Sequence, residues 1–150
     1  MKKLLFALLP IIFISCATTL PPAGPTSEMI KEADTILLTV DESPEKAYKN
    51  FAKHLSENGF GLESTDQSLL FIKTDNRQVG KSNFTYHINA TVKSDDDTII
   101  QVLGTGKNII GGNFTVENRG NYKSALKAAW REMNKLAESY PHGKIMYKRN

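Results

Sequence analysis

Between Asn83 and Lys93 the chain alternates without a break, Phe84, Tyr86, Ile88, Ala90 and Val92 against Asn83, Thr85, His87, Asn89, Thr91 and Lys93. A strict period of two over this length predicts a strand with one face on a core and the other in water. Phe84, Tyr86, Ile88 and Val92 are expected inward, His87 and Asn89 outward. After a polar turn at Ser94 to Asp97, the chain returns as a strand over Thr98 to Leu103. Asp34 to Val40 is rich in β-branched residues and reads as another strand. Phe60 to Thr65 and Leu69 to Thr74 flank Asp66-Gln67-Ser68, the residue types of a hairpin turn. Two stretches instead have helical spacing. Ser43-Pro44 opens one with an N-cap residue and a proline at the first position, Ala47, Tyr48, Phe51, Ala52 and Leu55 fall on one side, and Gly59 stops it. The other runs from Asn121 to Tyr140 and ends before Pro141. Its apolar stripe is Tyr122, Leu126, Ala129, Met133, Leu136 and Tyr140, with Trp130 at the edge. The predicted order is β-α-β-β-β-β-α. This is an α+β domain over residues 34–150, with an antiparallel sheet of about five strands and two helices packed on one face. Asn113 to Glu117 is expected as an extra strand, and Lys144 to Arg149 as an edge strand.

The first sixteen residues follow a different logic. Lys2 and Lys3 precede Leu4 to Ile14, eleven residues without charge. A helix needs about 20 apolar residues to cross a bilayer, so the run is too short to span one and fits the apolar part of a secretory signal. It ends in Phe13-Ile14-Ser15-Cys16-Ala17, which contains the only cysteine. This stretch resembles the lipobox of bacterial lipoproteins, with Phe13 where that family usually has Leu. The resemblance implies a signal peptide over 1–15, cleavage before Cys16, lipid on Cys16 and attachment to the cell envelope. Ala17 is not the Asp of an inner-membrane retention signal, which points to the outer membrane and a domain facing the periplasm. Residues 16–33 are then a lipidated N-terminus and tether. Residues 17–27 hold three prolines and no charge, and at roughly 3 Å per residue they would span about 30 Å. Ser27 to Ala33 is expected to start a short helix. The element order of the domain loosely resembles helix-grip or TBP-like domains of envelope lipoproteins.

Composition adds limits. Of the 150 residues 40% are hydrophobic and 23% charged, which excludes a disordered or disulfide-rich chain. The formal charge of +3 includes Lys2 and Lys3, and without them 17 basic side chains face 16 acidic ones. That balance gives no reason to expect a nucleic-acid partner.

Chemistry-bearing patterns are sparse. Gly104-Thr105-Gly106-Lys107 lacks the spacing of a phosphate loop, and Asn108 follows the lysine where Ser or Thr is required. It reads as the end of a hairpin within a glycine- and asparagine-rich segment, 104–120. His54, His87 and His142 have no ligand spacing, so neither a metal nor another cofactor is expected, and each reads as a solvated histidine. Asp95, Asp96 and Asp97 lack the spacing of a calcium loop. No set of nucleophile and base is visible, so a non-catalytic role is expected. Two features remain. Lys123, Lys127, Arg131 and Lys135 recur every four residues on the last helix and form one strip, suited to an acidic partner protein or anionic lipid. The Asn/Thr face of the 83–93 strand could meet sugar or protein. The expected role is thus a membrane-anchored envelope lipoprotein that binds another envelope protein or supports envelope assembly. The alternative is a tethered small-ligand or glycan-binding module.

Overall fold

The computed structural model describes residues 23–108, 111–119 and 124–150. Eleven elements follow one another: β1 (Ala23–Thr26), β2 (Thr35–Val40), α1 (Pro44–Glu57), β3 (Leu62–Asp66), β4 (Phe71–Thr74), β5 (Arg77–Gln78), β6 (Phe84–Ser94), β7 (Thr98–Asn108), β8 (Asn113–Thr115), α2 (Ala125–Ser139) and β9 (Lys144–Arg149). The strands form one antiparallel sheet in the order β1-β9-β2-β7-β6-β4-β3, with β5 on β6 and β8 on β7. The α+β class is as expected. The expectation of about five strands is too low, since nine are present among the described residues.

The alternating strand organises the rest. In β6, Phe84, Tyr86, Ile88, Ala90 and Val92 are buried, and His87 and Asn89 lie on the other face. Ala47, Tyr48, Phe51 and Leu55 of α1 and Ala129, Trp130, Met133, Leu136 and Ala137 of α2 join these residues in one core. Just past α2, the Tyr140 ring meets Phe51 of α1 edge to face at 5.1 Å. Trp130 is fully buried, not at the edge of its stripe. The indole turns into the core beside Tyr147, 6.3 Å between ring centres.

The local stops follow their chemistry. Asp66 accepts hydrogen bonds from the Ser68 and Leu69 amides and the Ser68 hydroxyl, closing the β3–β4 turn. Gly59 stands just past α1 at φ +78°, where a side chain would be strained. Ser124 caps α2 by accepting from the Lys127 amide at 3.2 Å, so that helix starts at Ala125. Asn121 to Lys123 of the expected helix lie outside the described residues, as does Tyr122 of its stripe.

Three departures have physical causes. The first concerns the tether, because Ala23–Thr26 is a strand paired to β9. Backbone hydrogen bonds hold it, and a stretch of Ala, Gly, Pro and Thr carries no alternation to announce them. The ordered domain therefore begins ahead of residue 34, and β9 lies inside the sheet between β1 and β2. Ser27 to Ala33 forms bends and turns, with Glu32 at φ +59°, not a helix. The second concerns the glycine-rich segment. β7 runs on to Asn108, and its glycines face the core. A Cβ on Gly104 would stand 2.7 Å from the Val116 Cβ, and one on Gly106 would overlap the stacked rings of Phe84 and Phe114. These glycines make room for side chains. The third is β8, which ends at Thr115 and brings Val116 into that space.

Candidate functional site

Register converts the uncovered side of the sheet into rows of neighbours, because paired residues point the same way. One row reads Lys93, Ile99, Thr39, Lys144 across β6, β7, β2 and β9. The next reads Phe71, Thr91, Gln101, Leu37, Met146, starting on β4. The third reads Lys73, Asn89, Leu103, Thr35, Lys148. Beyond it come His87 with Thr105 and Thr115, then Thr85 with Lys107 and Asn113. Phe71, Leu37, Met146, Ile99 and Leu103 are half-exposed, an apolar band in the middle of the face. Pro25, Leu37, Ile99 and Gln101 floor a shallow groove of about 250 Å³, with Lys93, Asp95 and Lys148 at its rim.

The charge on this face is one-sided. The outward positions of β4, β6, β7, β2 and β9 carry Lys73, Lys93, Lys107, Lys144, Lys148 and His87 and no acidic residue. Acids stand only at its margins. Glu63 on β3 holds Lys73 at 2.7 Å, and the hydrogen bond from that lysine keeps the Glu63 carboxyl below its ordinary range. Asp95, Asp96 and Asp97 form the exposed β6–β7 turn. Burial lowers His87 below its ordinary value and Lys73 adds to the effect, with Glu63 opposing. At neutral pH the lysines therefore supply the positive charge.

The predicted helical strip lies on the other side of the molecule. Lys127, Arg131 and Lys135 recur on α2, whose buried residues face the core, and Lys123 lies outside the described residues. Arg131 and Lys135 are exposed and Lys127 is half-buried. Glu132 does not dilute this strip, because its carboxylate turns aside. One oxygen meets Arg77 at 2.8 Å and the other accepts from the Tyr86 hydroxyl at 2.9 Å. Burial, reinforced by Glu132, drives the Tyr86 hydroxyl far above its ordinary pKa. Arg77 also lies 4.7 Å over the Phe60 ring and donates to the Gly59 carbonyl. A cleft of about 250 Å³ opens beside this cluster, lined by Asn58, Phe60, Glu132, Lys135, Leu136 and Ser139. Lys135 is the member of the strip that it reaches. Cys16, the expected lipidation site, lies outside the described residues.

His54 is more than a solvated histidine. Its Nε2 lies 3.0 Å from the Leu136 carbonyl and 3.2 Å from the Ser139 hydroxyl, and Asn58 stands at its Nδ1. A carbonyl only accepts, so Nε2 carries its proton there and cannot take one from Ser139. The Ser139 hydroxyl itself donates to Leu136. The group ties α1 to α2 and leaves no base beside the serine. His142 reaches the Tyr140 carbonyl at 2.6 Å. The described residues contain no group of three His, Cys, Asp or Glu side chains able to hold a metal ion, and no helix long and apolar enough to cross a membrane.

Comparison of the chain with known protein families and with curated proteins finds no match. The lysine face was missed in the sequence because its members are spread from residue 73 to residue 148 and meet only through strand register. The available signal was Lys144-x-Met146-x-Lys148, a period of two that places both lysines on one side of a strand.

Proposed function

We propose that this chain is a membrane-anchored envelope lipoprotein, held by lipid on Cys16 in the outer membrane. Its domain faces the periplasm, and it binds another envelope protein or supports envelope assembly without catalysis of its own. The observation that carries the reading is architectural. Two helices cover one side of a wide sheet, and the domain offers broad surfaces on opposite sides, the open sheet face and the α2 strip. Broad faces with a polar rim and apolar interior suit protein or membrane contact. Gly104 and Gly106, packed against Phe84, Phe114 and Val116, are used by the fold itself. The α2 strip, Lys127, Arg131 and Lys135 with Lys123 ahead of it, suits an acidic partner protein.

Two measurements test this. Cys16→Ala should give an uncleaved or soluble precursor that takes up no labelled palmitate, and retention with label in the variant would refute the anchor. Lys127→Glu with Arg131→Glu should abolish salt-sensitive crosslinking to the partner in native membranes, since exposed charges are screened beyond about 8 Å at physiological ionic strength. Trp130 fluorescence checks that α2 stays docked, and unchanged crosslinking at low salt would remove the strip from the interface. A second reading, a tethered small-ligand or glycan-binding module, is favoured by the groove over Leu37 and Ile99. Saturable binding of muropeptides, lost in Gln101→Ala, would select it.

A further inference from the structure

We infer that the open face of the sheet is a docking surface for the anionic headgroups of the membrane itself. The inference rests on the lipid anchor at Cys16 proposed above, and three observations lead to it. The first is reach. Pairing of Ala23–Thr26 with β9 leaves only residues 17–22 between Cys16 and the sheet, a contour of at most about 25 Å. A domain of this size is about 35 Å across, so the anchor cannot swing to its far side. The second is direction. β1 runs antiparallel to β9, with Ala23 opposite Arg149, so the tether leaves from the end of the sheet where β9 finishes. Lys148 and Lys107 stand toward that end, and the acidic Asp95–Asp97 turn is at the opposite one. The third is charge. The outward positions of β4, β6, β7, β2 and β9 carry five lysines and no acid, with Glu63 and Asp66 confined to edge strand β3, whereas the exposed residues of the helices mix cations with Glu45, Glu57 and Glu138. Lysines around an apolar band of Leu37, Met146 and Leu103 match a surface of phosphate groups above hydrocarbon. The α2 strip then points into the periplasm, away from the membrane.

The test uses the full-length chain, processed and acylated in cells and purified from their membranes. It is reconstituted into vesicles of phosphatidylcholine, with or without phosphatidylglycerol. Thr91→Cys places a thiol in the middle of the face, and Glu57→Cys places one on α1 as a reference. Both are followed by reaction with a membrane-impermeant maleimide. Adding phosphatidylglycerol should slow the Thr91 probe by on the order of tenfold, given the attraction that each lysine contributes near an anionic surface. The Glu57 probe should not change. High salt should restore the rate with no substitution at all. Lys107→Glu with Lys148→Glu should remove the protection, and Lys46→Glu with Lys49→Glu should keep it. Equal rates in the two vesicles would overturn the proposal. Protection in native membranes with none in protein-free anionic vesicles would also overturn it, assigning the face to an acidic protein. Palmitate on the same preparation reports the anchor separately. Label without protection refutes the face, and protection without label retains the face and refutes the anchor.

Discussion

Ile88 and His87 are adjacent in the chain and differ in almost everything that matters to folding. Ile88 is fully buried, so Ile88→Ala removes packed methyl groups and should cost about 2–5 kcal/mol by chemical denaturation. His87→Ala changes the half-covered side of the same strand and should cost under about 0.5 kcal/mol. Gly106 has no side chain to lose, yet Gly106→Ala should cost about 1–3 kcal/mol by overpacking against Phe84 and Phe114. The same change at exposed Gly24, where nothing lies near a new Cβ, should be nearly neutral. His87 also carries a pH dependence. Its folded-state pKa lies below the ordinary value, so the unfolded chain binds the proton more readily. Its contribution is complete above the unfolded pKa of about 6.5 and is lost as pH falls through the folded value. The melting temperature of the wild type should therefore fall relative to His87→Gln between pH 7.5 and 5.5, and parallel curves would refute the assignment.

Elements were legible where one side-chain period dominates. The alternation of β6 and the 3.6-residue stripe of α1 each announced type, face and ends, and the Pro44 start and Gly59 stop lie at the bounds expected. β1 was illegible because nothing in Ala-Gly-Pro-Thr distinguishes a paired strand from an extended linker. Its partner supplies the hydrogen bonds. β9 was visible as a strand, but its interior place depends on β1 and shared that failure. Trp130 was misplaced because a stripe drawn by spacing ignores how far a large ring can turn. Of the site, the α2 strip could be read from local spacing, and the lysine face could not, since register joins residues far apart in the chain. Between elements, Glu132 links α2 to β6 and β5. Tyr86→Phe should lose about 0.5–1.5 kcal/mol, and Glu132→Ala should lose more, about 1–3 kcal/mol, because it leaves the buried Tyr86 hydroxyl without its acceptor and Arg77 with only the Gly59 carbonyl. The double variant should cost less than the sum, and strict additivity in urea melts would show that the hydroxyl does not depend on that carboxylate.

At the scale of the whole molecule, β1 also has a mechanical meaning. The first strand, β1, is short, contains Pro25 and lies at the edge of the sheet. A pull on the chain from residue 22 therefore loads a few edge hydrogen bonds first and leaves the core unstressed. Releasing residues 23–29 would lengthen the leash by about 25 Å. The next resistance comes from residues 30–33, latched to Asn118 through bonds to Ile30, Glu32 and Ala33. Only after that latch opens does force reach β2, which is paired on both sides. Two sets of contacts, the β1 pairing and the Asn118 bonds, would thus have to open in turn before a pull on the N-terminal side reached the core. Opening them would let the N-terminal end move while the folded body stays intact.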